Sequence, residues 1–175
     1  MPSGLKRYYG QRDLHFVTFS CYRRLPLLGS KRARDLFVRE LSRMRTEHDF
    51  LLVGYVVMPE HVHLLMGEPK KGTPSTALQV LKQRVSRKMR QQEGKSPGQQ
   101  RSVALAEDPG EPRQFWQARF YDFTVYSSGK VKEKLNYMHA NPVIRRLVEH
   151  PKDWPWSSWS NYAKNGEGMI AVDFV

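Results

Sequence analysis

The sequence predicts an α+β fold in which helices pack on an antiparallel sheet, in the ferredoxin-like manner. Strand-like segments alternate with segments of helical periodicity in the order β-α-β-β-α-β-α. The length of 175 residues suits one domain with a sizeable core, and 39% of the residues are hydrophobic and 11% aromatic, as in globular proteins. Because neither an internal repeat nor a linker interrupts this order, we predict a single domain over residues 1–175.

The chain begins with a strand and a helix. Residues 14–22 are rich in Phe, Val and Thr, a composition typical of a strand. Ser30 is a suitable N-cap for a helix over residues 31–48, where apolar residues recur at helical spacing and arginines occupy the other face. These two segments predict the first β-α unit of the fold.

Two further strands and a second helix follow. Residues 50–58 are apolar enough for a central strand, and the turn signal at residues 59–60 leads into a third strand over 61–67. Residues 73–75 then open a helix that continues over 76–92, with basic side chains on its polar face. A hairpin followed by a helix is therefore expected in the middle of the chain.

The remainder of the chain has three parts. Residues 91–114 are rich in Gly, Pro and Gln and predict a long, flexible loop. An aromatic strand over 115–126 precedes a helix over 127–142, which should end just before Pro142. The tail over 150–175 is rich in Trp and Ser and predicts a short helix that packs back on the domain.

The net charge indicates the kind of binding partner, and the cysteine content indicates the cellular compartment. The chain has 29 Lys and Arg against 17 Asp and Glu, which gives a net charge of +12 and favours a nucleic-acid partner, with an anionic membrane surface as the competing one. No apolar run approaches the roughly 20 residues that cross a bilayer. Cys21 is the single cysteine, so no intrachain disulfide is possible, and together with the lack of a secretory signal this predicts a cytoplasmic protein.

Two histidines interrupt the apolar stretch that spans the predicted hairpin. His61 and His63 are two residues apart in a predicted strand, so their side chains project to the same face. Two imidazoles in this arrangement can bind one divalent ion. The alternative from the residues alone is a pair of histidines on the solvated face of a strand, and the short motif does not decide between them.

The helix over 127–142 carries a second polar group. Its apolar stripe consists of Val131, Leu135 and Met138. Tyr137 lies roughly 120° from the centre of that stripe and shares a flank with Lys134 and Asn141, with Lys130 two turns before it. A phenol, an amide and two ammonium groups so clustered can receive a phosphate. The alternative is a surface tyrosine among solvated lysines.

Three motifs together resemble one protein family. The chain contains the segments MPEHVHLLM, FWQARFYDFTVY and KLNYMHANPV in that order. It is similar to the IS200-type single-tyrosine (Y1) transposases of the HUH superfamily, and most similar to their REP-associated group. The likeness extends over about residues 3–148, except for the loop over 91–114. It implies a ferredoxin-like or RRM-like antiparallel sheet with helices.

The resemblance also implies roles for individual residues. His61 and His63 match the histidine pair that binds Mg²⁺ or Mn²⁺, Asn141 matches the third metal ligand, and Tyr137 matches the nucleophile. Lys130 and Lys134 are candidates to support the tyrosine or the phosphate. The role of Glu60, which directly precedes the pair, is left open.

The implied activity is metal-dependent cleavage and rejoining of single-stranded DNA at palindromic REP-like hairpins, through a 5′-phosphotyrosine. Two alternatives stay open: a domesticated hairpin-binding protein on the same fold without physiological cleavage, and an RRM-type binder of single-stranded RNA. The resemblance further implies a bacterial protein near the nucleoid, without a membrane or nucleotide cofactor. REP-associated relatives favour a monomer, whereas mobile IS200-type enzymes are dimers that exchange the tyrosine helix.

Candidate DNA-binding residues lie in three parts of the chain. The basic and aromatic candidates are Lys6, Arg7 and Tyr8 near the N-terminus and Arg84, Arg87 and Lys88 on the second helix. The aromatic residues that can stack on unpaired bases are Phe115, Trp116, Phe120, Tyr121 and Phe123. Since such residues more often belong to the core, we expect at least half of these five to be buried there.

Overall fold

The structure, a computed structural model, describes residues 9–93, 114–163 and 166–175. Its strands are β1 (Leu14–Cys21), β2 (Leu52–Val57), β3 (His61–Gly67) and β4 (Trp116–Val125). Its helices are α1 (Lys31–His48), α2 (Pro74–Glu93), α3 (Ser128–Ile144) and the short α4 (Trp159–Tyr162). The four strands form one antiparallel sheet in the spatial order β2-β3-β1-β4, which confirms the predicted α+β fold class.

The register of β1 against its two neighbours sets the geometry of the sheet. Thr18 lies opposite His63 of β3 and Tyr121 of β4, and Phe16 lies opposite Phe123 of β4. Residues directly opposite each other in an antiparallel sheet point to the same face. Therefore these five side chains lie on one face of the sheet.

The opposite face of the sheet carries α1 and α2 and is filled with aromatic side chains. Phe19 of β1 contacts Phe37 of α1 and Trp116 of β4, with ring centroids 6.0 and 5.3 Å apart. All three residues are buried. The apolar stripe of α1 thus faces the sheet and its arginines face outward, as the sequence pattern indicates.

The other face carries α3, which packs on β2 and β3. Gly54 of β2 permits this close approach. A Cβ atom at that position would lie 2.6 Å from Leu135 Cδ2 and 2.8 Å from Met138 Cε. The absence of a side chain at Gly54 therefore lets Leu135 and Met138 of α3 pack directly on the backbone of β2.

Side-chain caps fix where α1 and α3 begin. The Ser30 hydroxyl accepts a hydrogen bond from the Ala33 N–H at 3.1 Å, and the Ser127 hydroxyl accepts one from the Lys130 N–H at 3.2 Å. Each cap satisfies a backbone donor that the first helical turn leaves unpaired. The N-cap predicted at Ser30 is confirmed.

The prediction that the third helix ends before Pro142 is wrong. The helix runs through Pro142 to Ile144. Proline lacks an N–H, so it removes one helical hydrogen bond, but in the last turn few bonds remain to be lost. The Arg145 N–H donates to the Asn141 carbonyl at 2.9 Å, and the Leu147 N–H donates to the Pro142 carbonyl at 2.9 Å. These bonds close the helix beyond the proline.

The tail from residue 150 packs back along the outer edge of β2. The Ser158 N–H donates to the Tyr55 carbonyl at 2.9 Å, and the Val57 N–H donates to the Trp156 carbonyl at 2.8 Å. The indoles of Trp154 and Trp156 are buried. The predicted loop over 91–114 lies largely outside the described residues, which omit 94–113. Within the described ranges, no helix combines the length and apolar character needed to cross a membrane.

Candidate active site

The two histidines of β3 converge through their Nε2 atoms. His61 and His63 project from the face of the sheet that carries α3, and their Nε2 atoms lie 3.0 Å apart. Both side chains are buried, with exposed fractions of 5% and 4%. The pair is therefore part of the interface between the sheet and α3, which excludes the solvated strand face considered from the sequence.

The outer nitrogen of each imidazole is held by a neighbouring residue. His61 Nδ1 lies 3.1 Å from Glu60 Oε1, and His63 Nδ1 lies 2.7 Å from Thr18 Oγ1. A carboxylate accepts but does not donate, so His61 carries its proton on Nδ1 in this contact. Such contacts orient an imidazole and direct its Nε2 atom, the nitrogen that can bind a metal, toward the other histidine.

Burial keeps both imidazoles neutral. Desolvation is the largest cause that lowers the pKa of His61, and Glu60 opposes it. Desolvation also lowers the pKa of His63 to about 3, with a further contribution from the positive charge that His61 would carry. Neutral imidazoles are the form that binds metal ions.

Asn141 reaches the same point from α3. Its side-chain amide nitrogen lies 3.1 Å from His63 Nε2, and the residue is buried. Rotation of the amide by 180° exchanges its nitrogen and oxygen, so either atom can face the histidine. Asn141 therefore supplies an amide beside the imidazole pair, one helical turn after Tyr137.

Tyr137 lies over the histidine pair and reaches solvent. Its ring centroid is 5.3 Å from that of His63 and 6.1 Å from that of Phe16, both in edge-on arrangements. The residue is 49% exposed. The four residues singled out by the sequence thus meet at one place, where the tyrosine is the accessible member and the other three are buried.

The two lysines of this helix flank differ in their surroundings. Lys134 Nζ lies 5.0 Å from the ring centroid of Phe16 and 4.9 Å from that of Phe123, so it remains beside Tyr137 over the sheet. Lys130 pairs with Glu133 on the exposed surface of α3, with Nζ 2.7 Å from Oε2, and Lys134 lies 3.7 Å from the other oxygen of that carboxylate. Only Lys134 of the two predicted support residues contacts rings of the site.

The donor set fits a divalent ion. Adjacent ligands of an octahedral ion at about 2.1 Å lie about 3.0 Å apart. The two Nε2 atoms have this separation. Among the described residues, no group of three or more His, Cys, Asp or Glu side chains could hold a metal, so any third protein ligand beside the two histidines would be of another residue type. The Asn141 amide is adjacent to the pair.

Comparison with known proteins decides the family. The profile of the family described as "Transposase IS200 like" matches residues 9–141, which include all four converging residues. The chain belongs to the IS200-like transposase family. It is 27% identical over 128 residues to a Haemophilus influenzae protein named after the REP-associated tyrosine transposases, covering 72% of this chain and 69% of that protein. It is 21% identical over 175 residues to the REP-associated tyrosine transposase of Escherichia coli, covering 99% and 91%.

A solved structure confirms the fold of this IS200-like chain. A REP-associated tyrosine transposase bound to a REP hairpin superimposes with a TM-score of 0.72, at 19% identity and with 99% of each chain covered. The family resemblance identified from the three sequence motifs is therefore confirmed.

The structure of this transposase adds residues that the sequence analysis left without a role. Arg145, which follows α3, donates from Nη2 to Glu60 Oε1 at 2.8 Å, and the same oxygen contacts His61. Thr18 holds His63 from the neighbouring strand. Glu60 and Arg145 are 85 positions apart, so only the packing of α3 against β3 reveals their contact.

The predicted DNA-binding residues of α2 lie across the sheet from the candidate active site. Arg84 Nη1 is 2.6 Å from Glu47 Oε2, and Lys88 pairs with Glu40, so both join α2 to α1. Arg87 is exposed. The structure gives the first two residues a role in helix packing, and a role of any of the three in DNA binding stays a prediction. The N-terminal candidates Lys6, Arg7 and Tyr8 lie outside the described residues.

The five aromatic residues around β4 divide between the two faces. Phe115 and Trp116 are buried, and Phe120 lies opposite Phe19 on the face of α1 and α2. Tyr121 and Phe123 lie on the face of the histidines and are half-buried. Phe115 and Trp116 thus belong to the buried core, whereas Phe120, Tyr121 and Phe123 are partly buried and pack against it, so fewer than half of the five are fully buried.

Proposed function

We propose that this chain cleaves and rejoins single-stranded DNA at palindromic hairpins, with Tyr137 as the nucleophile. The observation that carries the proposal is the convergence of an accessible phenol with two neutral imidazoles and an amide. Similarity to REP-associated transposases, one of them bound to a REP hairpin, supports hairpin DNA as the substrate. A net charge of +12 is consistent with that partner.

His61, His63 and Asn141 would hold the divalent ion, which we propose to be Mg²⁺ or Mn²⁺. When bound, this ion supplies Lewis-acid polarisation of the scissile phosphate. The contribution of the protein is orientation: Glu60 and Thr18 fix the two rings, so that both Nε2 atoms are directed at one point. Burial keeps these imidazoles neutral and able to bind.

Cleavage proceeds by attack of the Tyr137 hydroxyl oxygen on phosphorus. The bond between phosphorus and the 3′ oxygen breaks, the 3′ oxygen takes up a proton, and a 5′-phosphotyrosine remains. A nearby cation favours the phenolate, the more reactive form of the nucleophile, and Lys134 lies one helical turn before Tyr137. Attack by the 3′-OH of a second strand reverses the step and regenerates the tyrosine without ATP.

The docking of α3 on its own sheet supports action as a monomer. Asn141 and Tyr137 meet the histidines of the same chain, and the Arg145–Glu60 pair fastens the end of α3 to the start of β3. In a dimer that exchanges this helix, a partner would supply it instead. We propose a monomer that acts on chromosomal DNA in the bacterial cytoplasm, near the nucleoid.

The test is the detection of a covalent protein–DNA adduct. The protein is incubated with Mn²⁺ and a synthetic single-stranded DNA that carries one hairpin, labelled at either its 3′ or its 5′ end. Wild type is expected to form an adduct that survives denaturing electrophoresis and contains only the 3′-labelled strand, because the tyrosine retains the 5′ phosphate of the downstream fragment.

Two variants separate the proposal from its alternatives. Tyr137→Phe should form no adduct, whereas Tyr126→Phe, which changes an exposed tyrosine just before α3, should form as much as wild type. Hairpin binding without an adduct would favour a binding protein that has lost cleavage. Preferential binding of single-stranded RNA, again without an adduct, would favour the RRM-type binder.

A further inference from the structure

The half of the histidine-bearing face formed by β1 and β4 presents two aromatic side chains beside the candidate active site. Tyr121 lies opposite Thr18, and Phe123 lies opposite Phe16, so both belong to the face on which α3 packs. The helix α3 packs on β2 and β3, whereas β4 forms the opposite edge of the sheet. Tyr121 and Phe123 are only half-buried, and we refer to these two residues as the β4 platform.

One residue of β1 lies between each member of the β4 platform and the histidine pair. Thr18, opposite Tyr121, contacts His63 Nδ1 at 2.7 Å. Phe16, opposite Phe123, stacks on His63 with centroids 5.3 Å apart and lies 6.1 Å from the ring of Tyr137. Neighbouring strands are about 4.8 Å apart, so β4 lies about 10 Å from β3, within reach of a nucleotide next to the cleaved bond.

Positive charge adjoins the same aromatic rings. The ammonium of Lys134 lies 4.9 Å from the centroid of Phe123 and 3.7 Å from Glu133 Oε1, and its side chain is only 19% exposed. Exposed Arg119 precedes Tyr121 by two residues. Aromatic rings beside cations are the combination that binds a base together with its phosphate.

We propose that the β4 platform stacks the unpaired base next to the scissile phosphate, while Lys134 binds the phosphate of that nucleotide. This inference rests on the proposed function and assigns a binding subsite to the same reaction. Stacking accepts every base, so the subsite holds the strand in line for Tyr137 and leaves sequence recognition to other contacts.

The test uses a protein that binds but does not cleave. In a Tyr137→Phe background, synthetic hairpin DNA carries 2-aminopurine at one unpaired flanking position at a time, and its fluorescence is recorded on binding. One or two positions beside the hairpin should be quenched by stacking. This measurement requires no change in the platform and so does not depend on how platform variants fold.

Substitutions then assign the quenching to named side chains. Tyr121→Leu keeps apolar bulk but removes the ring, and it should restore the fluorescence and weaken DNA binding by about 5- to 150-fold. Tyr121→Phe should retain both signals. Phe174→Leu, which changes an exposed aromatic residue of the tail, should leave both unchanged. Lys134→Met should lower the slope of log affinity against log salt by about 0.7.

The outcomes separate the subsite from the proposed function. If hairpin DNA binds but no position is quenched, or if Tyr121→Leu retains full quenching and affinity, the subsite is refuted and the proposed function stands. If neither wild type nor Tyr137→Phe binds hairpin DNA, both are refuted. If Tyr121→Phe loses as much affinity as Tyr121→Leu, the hydroxyl rather than stacking is responsible, and the proposal is wrong.

Discussion

The face of the sheet that carries α1 and α2 and the face that carries α3 are built from the same strands but differ in what they bury. The first encloses Phe19, Phe37 and Trp116 in contact with one another. The second encloses His61 and His63, with a half-exposed tyrosine above them. Alternation along β1, β3 and β4 thus separates a layer that provides stability from a layer that provides chemistry. The two layers should respond differently to substitution.

The largest expected difference concerns stability. Phe37→Ala removes a completely buried ring from the aromatic core under α1 and should lower the free energy of unfolding by about 3–5 kcal/mol. Tyr137→Phe removes only a hydroxyl from a half-exposed ring and should change it by less than about 0.5 kcal/mol. Urea denaturation measures both values. Equal losses would contradict the separation of the two layers.

A smaller effect is expected where α3 meets the sheet. Gly54→Ala places a methyl group against Leu135 and Met138, so α3 should shift outward, the free energy of unfolding should fall by about 1–3 kcal/mol, and adduct formation should slow. Gly129→Ala is the matched control, because its Cβ meets nothing within 4 Å and lies in the first turn of α3. The control should stabilise the protein by about 0.5–1 kcal/mol.

Should Gly54→Ala form adduct at the wild-type rate while losing stability, the close approach of α3 would serve folding alone. A contact on the α3 face would then contribute only to stability, so the division into a stabilising layer and a chemical layer would not hold at this position.

The contact between Glu60 and His61 tests the chemical layer by itself. Glu60→Gln removes the charge that orients His61 and pairs with Arg145, so the affinity for Mn²⁺ should fall by about 10- to 100-fold. Calorimetric titration with Mn²⁺ alone measures it without DNA. Glu133→Gln, which removes an exposed carboxylate from α3, should retain the wild-type affinity. If wild type and Glu60→Gln bind Mn²⁺ with equal affinity, Glu60 does not orient His61 for metal binding.

The smallest effect comes from a polar group on the face that carries α1 and α2. Burial lowers the pKa of His15, but its hydrogen bond and ion pair with Asp122, together with Glu68, outweigh this and raise the pKa above its ordinary value. A raised pKa stabilises the fold below the unfolded value of about 6.5, and the stabilisation is lost as the pH rises through the folded pKa.

The difference in unfolding free energy between wild type and His15→Asn should therefore be larger at pH 6 than at pH 9. It should change by at most about 1.4 kcal/mol for each pH unit. If the difference instead grows as the pH rises, the pKa of His15 is not raised in the folded protein, and the direction given above is wrong.

Local patterns in the sequence predict most of the secondary structure and the faces on which the candidate site residues lie. Alternation and helical periodicity predict the strands and helices to within a few residues, and they place His61 and His63 on one face of β3. Helical spacing likewise places Tyr137 and Asn141 on one flank of α3. In each pair both residues lie in one strand or one helix, where the backbone repeat alone determines which side chains share a face.

Contacts between elements could not be predicted in the same way. The partner of His63 is Thr18, which only the register of β1 against β3 brings next to it. The same register divides the aromatic residues of β4 between the two faces. The end of α3 could not be predicted, because the sequence does not show that the Leu147 N–H closes the helix by donating to the Pro142 carbonyl.

The central claim is that Tyr137 is the residue that becomes linked to DNA, and peptide mapping of the adduct tests it most directly. The protein is allowed to react with hairpin-bearing single-stranded DNA, the adduct is digested with nuclease and protease, and the modified residue is located by mass spectrometry. Our account predicts a nucleotide linked through its 5′ phosphate to Tyr137. The same mass on Tyr121 or Tyr126, or on a residue other than tyrosine, would contradict it.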